Sequence, residues 1–386
     1  MKIALTSDYF HPSTGGAEQS ALELSKALSK KGHEVVVFTR PKEGEVEEEE
    51  IEGVKVRRIF EDLKRFTFRS DVLFPRIADK REKDRLIEEI KGENFDILHS
   101  NNRDTAVFTA ETAGKLGLPG ITHVRDYWLK CPKRDFMRPD GICPEPKRCS
   151  ICMADYYNKW YNIPFYWKFV KDTIYRYEKI KENTDYYLYN SSYVKEKIGL
   201  SPGEVIYNPV NIQKTQKGES KDGKILYIGN ITERKGVKTI VEAVKGLDIE
   251  LHLIGDGYLL NNIDRENIIK HGRLEYDEVL KHLYDSEMMV VPSSWPEPFG
   301  RVAVEGMAAG LPIIVTNSGG LPEVVNNCGI IVKREDPEEL RNKIIELHQN
   351  KELREELSKK GLQRSKLFSP SEIADQTIQV YRRLVK

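Results

Sequence analysis

The chain has 386 residues, more than one hydrophobic core usually supports, so two domains are the default expectation. Lysine plus arginine and aspartate plus glutamate each number 61, which removes the electrostatic signature of a nucleic-acid binder. The apolar runs are short, none nearing the about 20 residues that cross a bilayer, and Met1–Ser7 turns polar at once, as in the first strand of a cytoplasmic α/β protein and unlike a cleaved leader.

Lys2–Ser7 reads as a strand and the segment from Phe10 to Gly16 as a loop. A helix follows from about Ala17, with Ala21, Leu24 and Leu28 on one face, and Gly32 ends it. His33–Phe38 supplies the next strand and completes a βαβ unit. The acidic run Glu45–Glu52 fits a solvated turn. Strand-like runs recur at Val54–Ile59, Phe95–His99 and Gly120–Val124, with helical patterns at Arg81–Lys91 and Thr105–Leu116, so the N-terminal half is α/β with a mostly parallel sheet. Gly15 and Gly16, between the first strand and its helix, let backbone approach an anion at a helix N-terminus, although such a pair also serves as a plain turn.

Four of the five cysteines fall within 131–152, spaced Cys131-x11-Cys143-x5-Cys149-x2-Cys152 in a loop rich in proline and basic residues. Four thiolates with a closing Cys-x2-Cys suit a tetrahedral structural zinc, ahead of disulfides or an iron–sulfur cluster. Cys328 stands apart, as a buried inert thiol would. Next come Tyr156, Tyr157, Trp160, Tyr161, Phe165, Tyr166, Trp167 and Phe169, then a helix with Lys168, Lys171, Arg176 and Lys179. Core packing is the favoured expectation for these aromatics. A membrane interface, where a lipid-linked acceptor would lie, is the alternative.

Gln213–Gly223 is polar and reads as a linker. A second α/β series opens at Lys224–Gly229, with a helix over about Val237–Lys245 and a strand over Ile249–Ile254. The loop Gly229-Asn230-Ile231-Thr232-Glu233-Arg234-Lys235-Gly236 sets two cations at a helix start, where they are unfavourable unless an anion binds, and this points to a diphosphate site. A Walker loop and a Gly-x-Gly-x-x-Gly fingerprint are both missing, Gly255-Asp256-Gly257 being the nearest approach, so NAD binding and ATP hydrolysis are disfavoured. Met288–Val291 is a strand closed by Pro292, Ser293 and Ser294. Beyond it Glu297 lies in a loop and Glu305 inside the next helix, which ends at Gly310 before the strand Ile313–Val315. Carboxylates so placed can each accept hydrogen bonds from a ribose or sugar diol, although solvated glutamates are also common in a chain this charged.

The set Gly15-Gly16-Ala17-Glu18, Gly229…Lys235-Gly236, Gly255-Asp256-Gly257, Glu297-Pro298-Phe299-Gly300-Arg301…Glu305 and Gly319-Gly320-Leu321-Pro322-Glu323 resembles, in order and spacing, the retaining nucleotide-sugar glycosyltransferases of family 4, which have the GT-B fold. The resemblance covers nearly the whole chain. It implies two Rossmann-like domains facing across a cleft: an acceptor-side domain at 1–205 carrying the cysteine-rich insertion, a donor domain at 206–368, and a C-terminal helix, 369–386, crossing back to the N-terminal domain. By similarity Glu305 would hold the ribose, Glu297 would orient the donor sugar, and amides at Phe299 and Gly300, beside Arg301, would lie over sugar and phosphate. Gly16 would close on the diphosphate, with Gly15, Gly229 and Gly255 in the same loops.

The implied reaction moves a sugar from a nucleoside diphosphate to a glycan, lipid-linked or small-molecule acceptor with retention, and needs no catalytic metal. Arg234 and Lys235 would stabilise the leaving diphosphate. Two positions depart from the family pattern. Asn230 replaces an arginine that Arg234 would have to supply, and Arg125 stands where a histidine usually precedes the aspartate, here Asp126. His123, two residues earlier, would point to the same side as Arg125. Asp126 is the candidate acceptor-side base. The rival expectations are a non-catalytic nucleotide-sugar binding protein and an epimerase or phosphorylase of the same fold. Peripheral contact with a membrane's inner face accompanies the lipid-linked alternative.

Overall fold

The computed structural model describes residues 1–12, 15–41, 46–61, 75–138, 141–144, 148–211 and 222–385, with backbone only at 75–79. Most of the linker expected at 213–223, Glu45 of the acidic run and 13–14 of the first loop lie outside the described residues. The chain divides into one unit of Met1–Pro209 with Pro370–Lys386 and a second of Val210–Ser369.

The first unit is built on strands β1 (Lys2–Thr6), β2 (Glu34–Phe38), β3 (Glu48–Ile51), β4 (Val54–Arg57), β5 (Ile97–Ser100) and β6 (Gly120–Val124), the hairpin β7 (Met137–Arg138) and β8 (Gly141–Ile142), then β9 (Tyr186–Tyr189) and β10 (Gly203–Val205). Its sheet runs β10-β9-β6-β5-β1-β2-β4-β3 and is parallel except for the β3–β4 pair. The helices are α1 (Gly16–Lys30), α2 (Pro75–Lys91), α3 (Arg103–Leu116), α4 (Cys149–Tyr157), α5 (Ile163–Asn183) and α6 (Ser192–Ile198).

Strand alternation explains the layers. Ile3, Leu5, Val35 and Val37 face one way, into a core with Leu24 and Leu28 of α1 and with Ile373, Val380 and Tyr381 of the helix Pro370–Leu384. Ala4, Val36, Phe38 and Leu98 face the other way, against Phe95 and Phe108. Apolar residues at consecutive positions are what a sheet covered on both faces requires.

The second unit carries β11 (Lys224–Ile228), β12 (Glu250–Ile254), β13 (Ile268–Gly272), β14 (Met288–Val291), β15 (Ile313–Thr316) and β16 (Gly329–Val332), all parallel in the order β13-β12-β11-β14-β15-β16. Around them lie α7 (Val237–Ala243), α8 (Tyr276–Asp285), α9 (Arg301–Ala308), α10 (Leu321–Val325), α11 (Pro337–Gln349) and α12 (Lys351–Ser365). Both units have Rossmann-like order, and each sheet reverses its winding at one place, between β1 and β5 in the first and between β11 and β14 in the second. Ligands of open α/β sheets bind beyond the strand ends at such reversals.

The aromatic segment differs from the packing expectation. Tyr166 is buried, but Tyr161 is 78% exposed, Trp167 54% and Trp160 53%. The periodicity of an apolar stripe is the same whether a core or solvent faces it, so the pattern alone could not decide this.

Candidate functional site

In the second unit the loops after β11 and β14 meet. The Gly229 amide donates to Ile254 O at 3.0 Å and the Ile231 amide to Asp256 O at 2.8 Å, fastening the Gly229 and Gly255 loops together. Glu233–Lys235 forms a short 3-10 turn ended by Gly236 at φ 72°. A Cβ there would lie 1.7 Å from Pro292 O, so only glycine lets the cationic turn come this close to the β14 loop. The Arg234 carbonyl accepts from the amides of Ser294 at 2.9 Å and Trp295 at 3.1 Å. The two cations thereby stand over the Trp295 ring, Arg234 at 5.9 Å and Lys235 at 5.1 Å from its centre.

This docking joins two residues that lie far apart in sequence. Lys235 Nζ is ion-paired with Glu297 Oε1, which also accepts from Ser293 Oγ at 2.9 Å. Glu297 is buried, and its backbone is held by the Gly320 amide, which donates to Glu297 O at 2.7 Å. Gly319, at φ 62°, packs so tightly that a Cβ would stand 2.2 Å from that same carbonyl. Burial, reinforced by the Glu297 carboxylate, pushes the Tyr227 phenol far up, so it acts as a donor, to Asn230 O at 2.7 Å. Asn230 thus enters the loop through its backbone.

Gly300, at φ 94°, caps α9, and Phe299 is buried edge-on against Phe368, 5.6 Å between ring centres. Glu305, one turn along, accepts from Arg301 Nε at 2.9 Å. The sequence-predicted Glu297, Lys235, Arg234, Phe299, Gly300, Arg301 and Glu305 all lie on the two loops at the β11/β14 reversal or on the helix that follows them. Ser293 and Trp295 were missed. The Trp295 indole N–H is buried without a hydrogen-bond partner among the described residues.

The first unit gathers polar groups at its own reversal. Gly15 caps α1, which begins at exposed Gly16, where an added Cβ would meet nothing within 4 Å. Arg125 follows β6 and is buried. Its Nε donates to Asn101 Oδ1 at 2.8 Å, its Nη1 donates to Asn208 Oδ1, and its carbonyl accepts from Asn190 Nδ2 at 2.8 Å. His123 is only 1% exposed and stacks on His99 with ring centres 5.6 Å apart, while His99 Nδ1 pairs with Tyr381 Oη at 2.6 Å. Burial, then the Arg125 charge, holds both imidazoles neutral, His99 down to about 3. Asp126 accepts from the Trp128 amide at 2.8 Å and from Arg134 Nη2 at 2.7 Å.

Sequence reading also missed Asp8. Its carboxylate accepts from the Thr105 amide at 2.8 Å and the Asp104 amide at 3.2 Å in the first turn of α3. Burial and the neighbouring Asp104 carboxylate push it up to about 7. Its position directly after β1 was the available signal.

Rossmann-like strand order in each unit and, in the second, a cation–carboxylate centre at a strand-order reversal define a class of open-sheet α/β proteins whose ligands bind at such reversals. Residues 14–214 match the family model Glycosyltransferase Family 4 and residues 209–364 match Glycosyl transferases group 1. The chain belongs to glycosyltransferase family 4 and has the GT-B fold. At family level it is therefore a glycosyltransferase that uses nucleotide-sugar donors.

An uncharacterized glycosyltransferase, MJ1178 of Methanocaldococcus jannaschii, is 37% identical over 200 residues, 48% of this chain and 56% of that protein. Sucrose-phosphate synthase from Thermosynechococcus elongatus superposes with TM-score 0.76 at 19% identity, covering 99% of this chain and 98% of its own. Anabaena HepE in complex with UDP-glucose gives 0.70 at 15% identity, with 100% of both chains covered. These two structures share the fold. No helix among the described residues is long and apolar enough to cross a membrane.

Proposed function

We propose that the protein transfers a hexosyl group from a nucleoside diphosphate sugar with retention at the anomeric carbon, without a catalytic metal, to an acceptor presented at a membrane surface. The observation that carries this is the Lys235–Glu297 pair, a cation and a carboxylate held side by side at the β11/β14 reversal. Glu297 would accept hydrogen bonds from donor-sugar hydroxyls and Glu305, steadied by Arg301, from the ribose. The donor diphosphate would draw Lys235 and Arg234 toward itself.

As the anomeric C–O bond breaks, negative charge grows on the diphosphate and these two cations stabilise it. The acceptor oxygen bonds to the same face of the sugar, and its proton passes to the departing phosphate. Nothing in this route requires a metal to neutralise charge. Arg125, fixed by Asn101 and Asn208, would orient the acceptor with Asp126, and Asp8 would be a further proton-accepting carboxylate on that side. His123 would position Arg125 from beneath.

Membrane presentation is supported by the exposed stripe Trp160, Trp167, Lys168, Lys171 and Ile174, which recurs at helical spacing, with Lys171 Nζ 3.6 Å over the Trp167 ring centre. Aromatics beside lysines suit the headgroup zone of an anionic bilayer. Failure of the protein to bind anionic vesicles at low salt would remove this part of the reading.

The decisive experiment measures nucleoside diphosphate released from a panel of donors, with Glu305→Ala as control and a chelator arm. Release that needs Glu305 and survives chelation is expected, and NMR of the product should show the donor's anomeric configuration. Saturable donor binding without release, also in the presence of lipid-linked acceptors, would favour a binding protein instead.

A further inference from the structure

We propose that Cys131, Cys143, Cys149 and Cys152 bind a structural zinc ion that fastens the 131–157 segment of the first unit. Three separate pieces of chain deliver the four thiols to one cavity, and all of them are free of disulfides. Cys131 ends a turn in which its amide donates to Tyr127 O at 2.8 Å, and Cys143 leaves the β7–β8 hairpin with its amide bonded to Phe136 O at 2.7 Å. Cys149 and Cys152 sit three apart in the first turn of α4, on one helix face, behind Arg148 in the left-handed conformation at φ 53°. A sharp turn feeding a Cys-x2-Cys pair is a common half of a four-thiolate zinc site.

Charge is the second argument. Lys133 lines the same cavity with its side chain only 3% exposed, and Arg138 lines it too. Zinc with four thiolates carries a net charge of about −2, which a buried ammonium and a guanidinium offset. Asp135 Oδ1, 3.6 Å away, is a further partner of Lys133 Nζ. Packing gives the third argument. The apolar cluster of this segment has Met153, Ala154 and Tyr166 at its buried centre with Ile163, Phe165 and Phe169 partly buried around it, and Phe136 packs separately on Tyr127. This is a small core for a loop, a hairpin and a helix start, and a metal commonly makes up such a deficit.

One other group could be considered. His252, His271 and His282 bring ligand atoms within 4.8 Å of one another, the one such trio among the described residues, whereas the sulfurs line their cavity more widely. Lys224 Nζ, however, ion-paired with Asp285, donates to His282 Nδ1 at 3.0 Å and so occupies a lone pair that a metal would need. The cysteine side chains can close by rotation, since Cys131 Sγ is turned to Asp135 Oδ1 at 3.9 Å and Cys152 Sγ to Met137 O at 3.7 Å.

The test is metal analysis of the full-length protein purified without added metal, beside Cys149→Ser/Cys152→Ser and His271→Ala variants. We expect about one zinc per chain, retained by His271→Ala and lost from the double variant. Because the double variant could misfold, the unmodified protein is also treated with a zinc chelator while reactive thiols are counted. Zinc release and the appearance of the cluster's thiols should proceed together, with loss of amide protection confined to 131–157. Four thiols reactive from the outset, a disulfide within the cluster, iron in place of zinc, or metal lost only from His271→Ala would each overturn the proposal.

Discussion

Lys235 does two things at once. It neutralises Glu297 in the free protein and, on the proposed route, meets the donor diphosphate when that arrives. Exchanging one anionic partner for another keeps the ammonium from being stranded, since removing one member of a partly buried pair costs more than the pair itself contributes. Lys235→Ala should therefore lower turnover by about 100-fold, the usual effect of losing one transition-state charge partner, and Lys235→Arg should recover part of it. Nucleoside diphosphate release under saturating donor measures this, and an unchanged rate in Lys235→Ala would assign the charge work to Arg234 alone. The pairing itself could not be read from sequence. Glu297 and Lys235 stand on loops whose adjacency depends on strand order, and strand order leaves no local signature. Trp295 and Ser293 escaped notice for the same reason, being defined by what docks against them.

At the scale of elements, the loop after β14 is shaped from behind by the Gly319–Gly320 turn. Gly319→Ala would place a methyl 2.2 Å from Glu297 O and put a side chain at φ 62°. The left-handed backbone alone costs about 1–2 kcal/mol, and relieving the overlap must shift Glu297. We expect a lowered melting temperature together with weakened donor binding. A variant that melts earlier yet binds donor normally would show that Glu297 tolerates the displacement. Strand positions were the most legible part of the sequence because consecutive Val and Ile runs have few alternatives in a sheet covered on both faces. Met288–Val291 and Gly120–Val124 were delimited to the residue. Helix starts were less so. The first turn of α3 is capped by Asp8 from ninety-odd positions upstream, a contact that no window of local sequence contains, and the aromatic stripe on α5 looks identical in pattern whether buried or exposed.

For the molecule as a whole, buried histidines set the response to acid. His99 and His123 are neutral in the folded first unit, while the unfolded chain protonates them as pH drops past about 6.5. Their contribution is intact above that value and declines as pH falls below it, for His99 down to about 3. Asp8 acts with the opposite sign, its contribution shrinking as pH rises from the ordinary 3.8 toward 7, and one carboxyl offsets only part of two imidazoles. The urea midpoint of the first unit, followed by hydrogen exchange at β5 and β6, should fall between pH 7 and pH 5. A flat profile would mean that another group compensates.

The helix Pro370–Leu384 fills the first unit's core with Ile373, Val380 and Tyr381, although the whole second unit precedes it in the chain. The order of synthesis is therefore inverted with respect to the order of completion. As the polypeptide leaves the ribosome, Val210–Ser369 has all its strands while the earlier-made sheet still lacks part of the cover on the apolar face it shares with α1. The usual sequence, in which the N-terminal domain is finished first, cannot apply here. The nascent first unit must wait, partly assembled, for a segment translated about 160 residues later, and that interval is when it most needs protection from aggregation.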